Sequence, residues 1–89
     1  MKPVDPDRLQ EQVGRRVAEL RIERSLTQAK LAELVGVSIR YLQSIEGGQE
    51  NLGLETIAKL ANVLKLLPIR FFEPPTTKKQ RPGRPKRAG

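Results

Sequence analysis

The residues whose types and spacing could do chemistry lie between Thr27 and Glu46, in the stretch TQAKLAELVGVSIRYLQSIE. Thr27 and Ser38 each offer a side-chain oxygen where a helix can begin, suited to accept from unpaired backbone N–H groups. Gly36 stands between them, where a helix end favours a residue tolerant of positive φ. Ala29, Leu31, Ala32 and Val35 form one expected inner face, and Val37, Leu42 and Ile45 form another; the small Ala32 lets two helices approach closely. Two short helices at a steep angle about a glycine turn make a device for presenting side chains to DNA. The chemistry implied is hydrogen bonding and ion pairing with a nucleic acid. Bond-making chemistry finds no support, because the 89 residues hold no histidine and no cysteine. The usual general bases, nucleophiles and thiolate ligands are therefore missing. No glycine-rich phosphate loop, metal-ligand cluster or paired carboxylates stand out, so no enzyme, metal or cofactor is expected.

The elements that must position these residues read as helices from Pro6 to about Phe72. Asp5 can cap the first, with Pro6 at its first position and Asp7 favourable against the helix dipole. Leu9, Val13, Val17 and Leu20 then recur as one amphipathic stripe. Gly14 interrupts that helix at a cost of about 1 kcal/mol relative to alanine. Ile22 and Leu26 are expected to close the core side before Thr27. The segment GGQENLG reads as a loop, and a fourth helix runs from Leu54 to about Leu66 with Leu54, Ile57, Leu60, Ala61 and Leu64 inward. Pro68 stops it and is expected to open a short fifth helix, PIRFF, before Pro74 and Pro75 end the folded part. The expectation is an all-α domain over residues 1–74 and a disordered basic, Pro-rich tail over 75–89.

Charge follows the same division. The net charge is +7, yet residues 1–75 hold eleven Lys and Arg against ten Asp and Glu, whereas residues 76–89 hold six cations and no acid. A nearly neutral domain must bind DNA through a few placed groups, while the tail supplies the long-range field. The length allows one small core, and no apolar run of about 18 residues exists to span a membrane. The start, MKPVDPDRLQ, has no apolar segment of the secretory kind, so a cytoplasmic protein is expected, nucleoid-associated through its binding to DNA.

The ordered set Gly14-x-x-Val17-x-x-Leu20-Arg21, Leu26-Thr27-Gln28-x-x-Leu31-Ala32, Gly36-Val37-Ser38 and Ile45-Glu46-x-Gly48, followed by Leu54-Glu55-Thr56, Leu60-Ala61 and Leu64, resembles the lambda-repressor-like (Cro/repressor, xenobiotic-response-element) helix-turn-helix family. The resemblance covers about Val13 to Glu73. It implies a five-helix domain whose third helix enters the major groove, usually as a homodimer on an inverted repeat of double-stranded DNA. Position by position, it implies base contacts from Ser38, Ile39, Arg40 and Ser44. Arg40 suits O6 and N7 of guanine, and Ile39 suits a thymine methyl. Ser44 stands where the family often has a longer polar reader. Gln28 matches the residue that bonds a phosphate at the start of helix 2, with Thr27 beside it and Gln43 and Tyr41 as further phosphate candidates. Tyr41 also suits packing at the edge of the core. Arg21 and Glu46 match the family's internal ion pair.

The tail, KKQRPGRPKR, contains PGRPK, which is similar to an AT-hook, although Pro82 stands where the hook usually carries arginine. Lys78, Lys79, Arg81, Gly83, Arg84, Lys86 and Arg87 are its candidate DNA contacts, either in an A·T minor groove or on phosphates. Near the end of the domain, Leu66, Leu67, Ile69, Phe71 and Phe72 outnumber what a small core should absorb. One phenylalanine is expected in the core, and Leu67, Ile69 and Phe72 are the expected dimer interface. Three functions are compatible, in this order: a sequence-specific transcription regulator (a repressor or small controller), an antitoxin or adaptor with a protein partner, and an architectural DNA-binding protein.

Overall fold

A computed structural model of the chain describes residues 2–77. It contains four α-helices, α1 (Pro6–Glu23), α2 (Gln28–Val35), α3 (Ile39–Glu46) and α4 (Leu54–Leu64), and a final 3-10 segment (Pro68–Phe72). The fifth helix expected from the sequence is therefore a 3-10 turn. Lys65 takes a left-handed conformation (φ 59°) and ends α4, and only five residues separate Leu67 from the extended Glu73. So short a run between two extended residues favours the tighter i→i+3 pattern. No described helix is long and apolar enough to cross a membrane. The candidate tail contacts at Lys78, Lys79, Arg81, Gly83, Arg84, Lys86 and Arg87 lie outside the described residues.

Local signals set the helix boundaries. Asp5 Oδ1 accepts from the Asp7 N–H, Thr27 Oγ1 from Lys30 N–H and Ser38 Oγ from Tyr41 N–H, each at 3.0 Å. Each cap satisfies one donor that the first helical turn would leave without a partner. Gly36 ends α2 at φ 89°, where a side chain would be strained, and lets both its own N–H and that of Val37 bond the Ala32 carbonyl.

The core joins Val13, Val17 and Leu20 of α1 with Leu31, Ala32 and Val35 of α2, Leu42 and Ile45 of α3, Ile57, Leu60, Ala61 and Leu64 of α4, and Phe71. Four expected inner residues are outside it. Leu54 is 83% exposed and Ile22 63% exposed, and Ala29 and Leu9 are exposed as well. Leu54 opens α4 and Leu9 lies in the first turns of α1, beyond the layer where the helices meet. Ala29 is in the first turn of α2, and Ile22 faces a surface groove instead of the core. Gly14 has the opposite history. Its helix penalty is outweighed because a Cβ there would come within 2.2 Å of the Ile45 carbonyl oxygen. Backbone meets backbone where α1 crosses the end of α3, and that crossing sets the position of the third helix.

Candidate nucleic-acid interface

Leu42 and Ile45 bury one side of α3 and so determine which side faces out. On the outer side Ser38, Ile39, Arg40 and Gln43 are exposed, while Tyr41 and Ser44 are half-buried. Tyr41 packs against the core, so its ring serves first as a support for the helix start. Arg40 makes no hydrogen bond or ion pair with any described residue. A guanidinium held on a rigid helix with all five donors unspent is equipped for bidentate bonding to an external acceptor. Ser38 has committed one lone pair to the cap but keeps its own O–H to donate.

Behind this surface lies a polar knot. Arg21 on α1 donates through Nε to Glu46 Oε2 (2.7 Å) and through Nη2 to Glu46 Oε1 (3.1 Å), and its Nη1 donates to the Leu26 carbonyl (2.8 Å). Both side chains are largely buried, at 12% and 7% exposure. The Gln28 amide adds a third bond to the carboxylate, Nε2 to Glu46 Oε1 at 2.9 Å, and accepts a longer one from Gln43 Nε2 at 3.5 Å. One carboxylate thus ties α1, the start of α2 and the end of α3 together. Removing either charged partner would leave the other buried without compensation, at a cost of about 3–5 kcal/mol. Gln28 is half-buried, and its amide donor is already engaged by Glu46.

The knot forms the floor of a groove of about 570 Å³, lined in part by Glu11, Arg15, Arg21, Gln28, Gln43 and Gln49. Arg15 has no bonding partner among the described residues, as with Arg40. The sequence reading did not single it out, although Arg8, Glu11, Arg15, Ala18 and Ile22 recur at the three-four spacing of one helical face.

A second polar cluster was also not foreseen. Arg16 and Glu19, on the side of α1 that meets the 3-10 segment, are only 3% and 7% exposed. Arg16 donates to the Arg70 carbonyl (3.1 Å), to Glu19 (2.9 Å) and to Glu73 (2.9 Å). Glu19 in turn accepts from Thr76 N–H (3.2 Å), Thr76 Oγ1 (3.3 Å), Thr77 N–H (2.5 Å) and the Thr77 hydroxyl. Burial alone would push the Glu19 carboxyl up; bonds from the Thr77 hydroxyl, Arg16 and the backbone N–H groups of Thr77 and Thr76 prevail and lower it to about 2. Sequence spacing hinted only at the i,i+3 pair, because Thr76 and Thr77 are far away along the chain.

Leu67, Ile69 and Phe72 are exposed, and Phe71 is fully buried. Among the described residues, no group of acidic side chains could hold a metal ion.

These elements define a class: a bundle of four helices with a capped, glycine-turned pair of short ones whose second member faces out. Residues 17–72 match the Helix-turn-helix family (HTH_3), and the chain belongs to it. The family is one of transcriptional regulators, which are not enzymes. Among solved structures, the chain is similar to the restriction–modification controller protein C.AhdI from Aeromonas hydrophila, at 36% identity and a TM-score of 0.74 over 78% of this chain and 100% of that one. It is also similar to the biofilm master regulator SinR, solved in complex with DNA, at 29% identity and a TM-score of 0.65 over 68% of this chain and 98% of that one. The immunity repressor of Bacillus phage phi105 is 42% identical over 52 residues, 58% of this chain and 36% of the repressor. The chain spans 43% and 48% of the length of two further transcriptional regulators that it matches.

Proposed function

We propose that this chain is a sequence-specific transcriptional regulator of double-stranded DNA, a repressor or small controller, with α3 as its reading helix. The observation that carries the reading is an exposed Arg40 guanidinium that bonds no described residue, set on a rigid base: the Arg21–Glu46–Gln28 knot holds α3 from behind. Arg40 and Ile39 read base edges, with Ser38 and Ser44 at the margins of the same surface. Thr27, Gln28, Gln43 and Tyr41 line the approach of the phosphate backbone, where the N-terminus of α2 favours an anion. For Gln28 this requires its amide to be shared between Glu46 and a phosphate. The likeness to a controller protein, a phage repressor and a regulator crystallised on DNA supports the same class.

A single reading helix touches few base pairs, so specificity calls for two half-sites about 34 Å apart. Leu67, Ile69 and Phe72 provide the exposed apolar surface on which a homodimer closes over an inverted repeat. The basic tail over residues 75–89 adds minor-groove or phosphate contacts through its cations, and a cytoplasmic, DNA-associated location follows. The same apolar surface would serve the alternative, an antitoxin or adaptor in which a partner protein covers it. Selection of binding sites from random duplex DNA at near-physiological salt tests the reading. An inverted repeat with G·C positions in each half supports a dimeric reader. Enrichment of A·T tracts alone, or no motif, overturns it and directs the search to a protein partner.

A further inference from the structure

After the first turn of α1, four arginines follow as far as its C-cap, and three of them are spent on bonds. Arg16 and Arg21 meet carboxylates and carbonyls, and Arg24 donates to the Leu64 and Leu20 carbonyls. Arg15 differs. It is half-buried, yet it bonds no described residue, and residues 78–89 hold no acidic side chain to offer it. A guanidinium partly withdrawn from water keeps five donors, and an external acceptor would repay the hydration it has lost. Its surroundings say which acceptor. Arg15, Ala18 and Ile22 lie at three-four spacing on one face of α1, and all three line the groove that Gln28 of α2 and Gln43 of α3 also line. Gln43 is three residues from Arg40 and, like it, exposed, so the groove borders the reading surface. Ala18 is half-buried and Ile22 is 63% exposed, which leaves the apolar strip open along its length. An open channel suits an extended strand better than an enclosed small molecule. Arg21 and Glu46 cancel in its floor and Glu11 stands one turn before Arg15, so the groove has no excess of charge. It must hold an anion by the placement of its donors. A cation, two amides and an apolar strip side by side match a phosphodiester and its sugar, and about 570 Å³ gives them room.

We propose that Arg15 is a phosphate contact, and that the α1 wall of this groove is a binding site for the sugar–phosphate backbone flanking the bases that α3 reads. This deepens the reading of the chain as a DNA-binding regulator and rests on it. Arg15 donates to the phosphate oxygens, while Ala18 and Ile22 rest against the deoxyribose. Such a contact carries no sequence information, but it fixes register and orientation. Helix α1 is well suited to that task. It meets α3 backbone to backbone at Gly14 and is tied to it through Arg21 and Glu46, so a phosphate held by α1 sets where α3 lies on the duplex.

The test uses the full chain, the duplex recovered by site selection and a set of its single-base-pair variants, with affinity measured across a salt series. Thermal melting verifies that each protein variant folds. Arg15→Gln should weaken binding to all the duplexes alike, by about 3- to 10-fold, and lower the slope of log K against log salt by about one unit per chain. Arg15→Lys keeps the charge and should keep the slope. Replacing single phosphates of the selected site by neutral methylphosphonates then locates the contact. At one phosphate in each half, beside the read bases, the replacement should weaken binding of the natural chain and leave that of Arg15→Gln unchanged. Unchanged affinity and slope overturn the proposal. So does a loss concentrated at one base pair, or an equal response of the natural and Arg15→Gln chains at every phosphate. Failure of the underlying reading looks different: selection then recovers no motif with the natural chain, and the backbone site falls with it.

Discussion

Helix α1 carries two arginine–carboxylate pairs in which both partners are largely buried, and they solve different problems. Arg21 reaches Glu46, twenty-five residues away in sequence, and brings in Gln28 from α2. Arg16 reaches Glu19 within its own helix and, through it, Thr76 and Thr77 at the far end of the described chain. The first pair holds the helix that faces out. The second holds the segment that follows the 3-10 turn. Both are taken out of water, and both are surrounded by enough donors and acceptors to offset much of the desolvation penalty. The contrast teaches that buried ion pairs in so small a domain fix positions more than they add stability, one for a reading surface and one for a chain exit.

The comparison breaks most visibly at Arg21. Arg21→Ala should destabilise the fold by about 3–5 kcal/mol, because Glu46 would remain buried with only Gln28 to bond it. Chemical denaturation measures the loss, and a change below about 1 kcal/mol would mean that the pair is solvated in practice. Arg40→Ala should do the reverse, leaving the denaturation midpoint where it is. Binding to the selected site should weaken by about 1–3 kcal/mol, with preference relaxed at one base pair. A uniform loss across all sequences would make Arg40 a phosphate contact instead.

Smaller effects sharpen the contrast. Ser38→Ala removes the cap of α3 and should lower stability by about 1 kcal/mol, and it should weaken DNA binding beyond that loss if the free O–H also donates to a base or phosphate. Equal affinities for the two proteins, measured well below the melting temperature, would confine Ser38 to the cap. At neutral pH the smallest effect is that of titrating Glu19. Its folded value of about 2 lies below the ordinary 4.5, so its contribution is fully present above about pH 4.5 and is lost as the pH falls toward 2. Stability of the natural chain should therefore decline across that window and stay level near neutrality. Glu19→Gln should have a shallower acid limb, and identical limbs in the two proteins would show that the bonds from Thr76 and Thr77 do not depend on ionisation.

How much of this was legible depends on the range of the signal. The caps at Asp5, Thr27 and Ser38 and the turn at Gly36 were readable because each is a bargain struck within four residues of chain. Most of the core was readable from helical periodicity, since one face of each helix must be buried. The misassigned residues share a cause. Periodicity tells which side of a helix is apolar but not what stands opposite each position, so Leu9, Ala29 and Leu54, in the opening turns of their helices, and Ile22, which faces the groove, are expected inside and lie outside the core. The 3-10 turn was read as a helix because Pro68 fits the opening of either; the left-handed Lys65 before it and the extended Glu73 after it decided the matter.

The candidate site divides along the same line. Residue types alone excluded the common catalytic groups, placed the excess charge in the last fourteen residues and marked Thr27 to Glu46 as the segment of interest. Those are properties of composition and short spacing, which survive in any conformation. Tertiary structure alone decided that Gly14 is the contact point between α1 and α3, that Gln28 shares Glu46 with Arg21, and that Thr76 and Thr77 return to Glu19. Each of these depends on two groups brought together across a long loop of chain, and nothing in the local sequence of either partner encodes the distance between them.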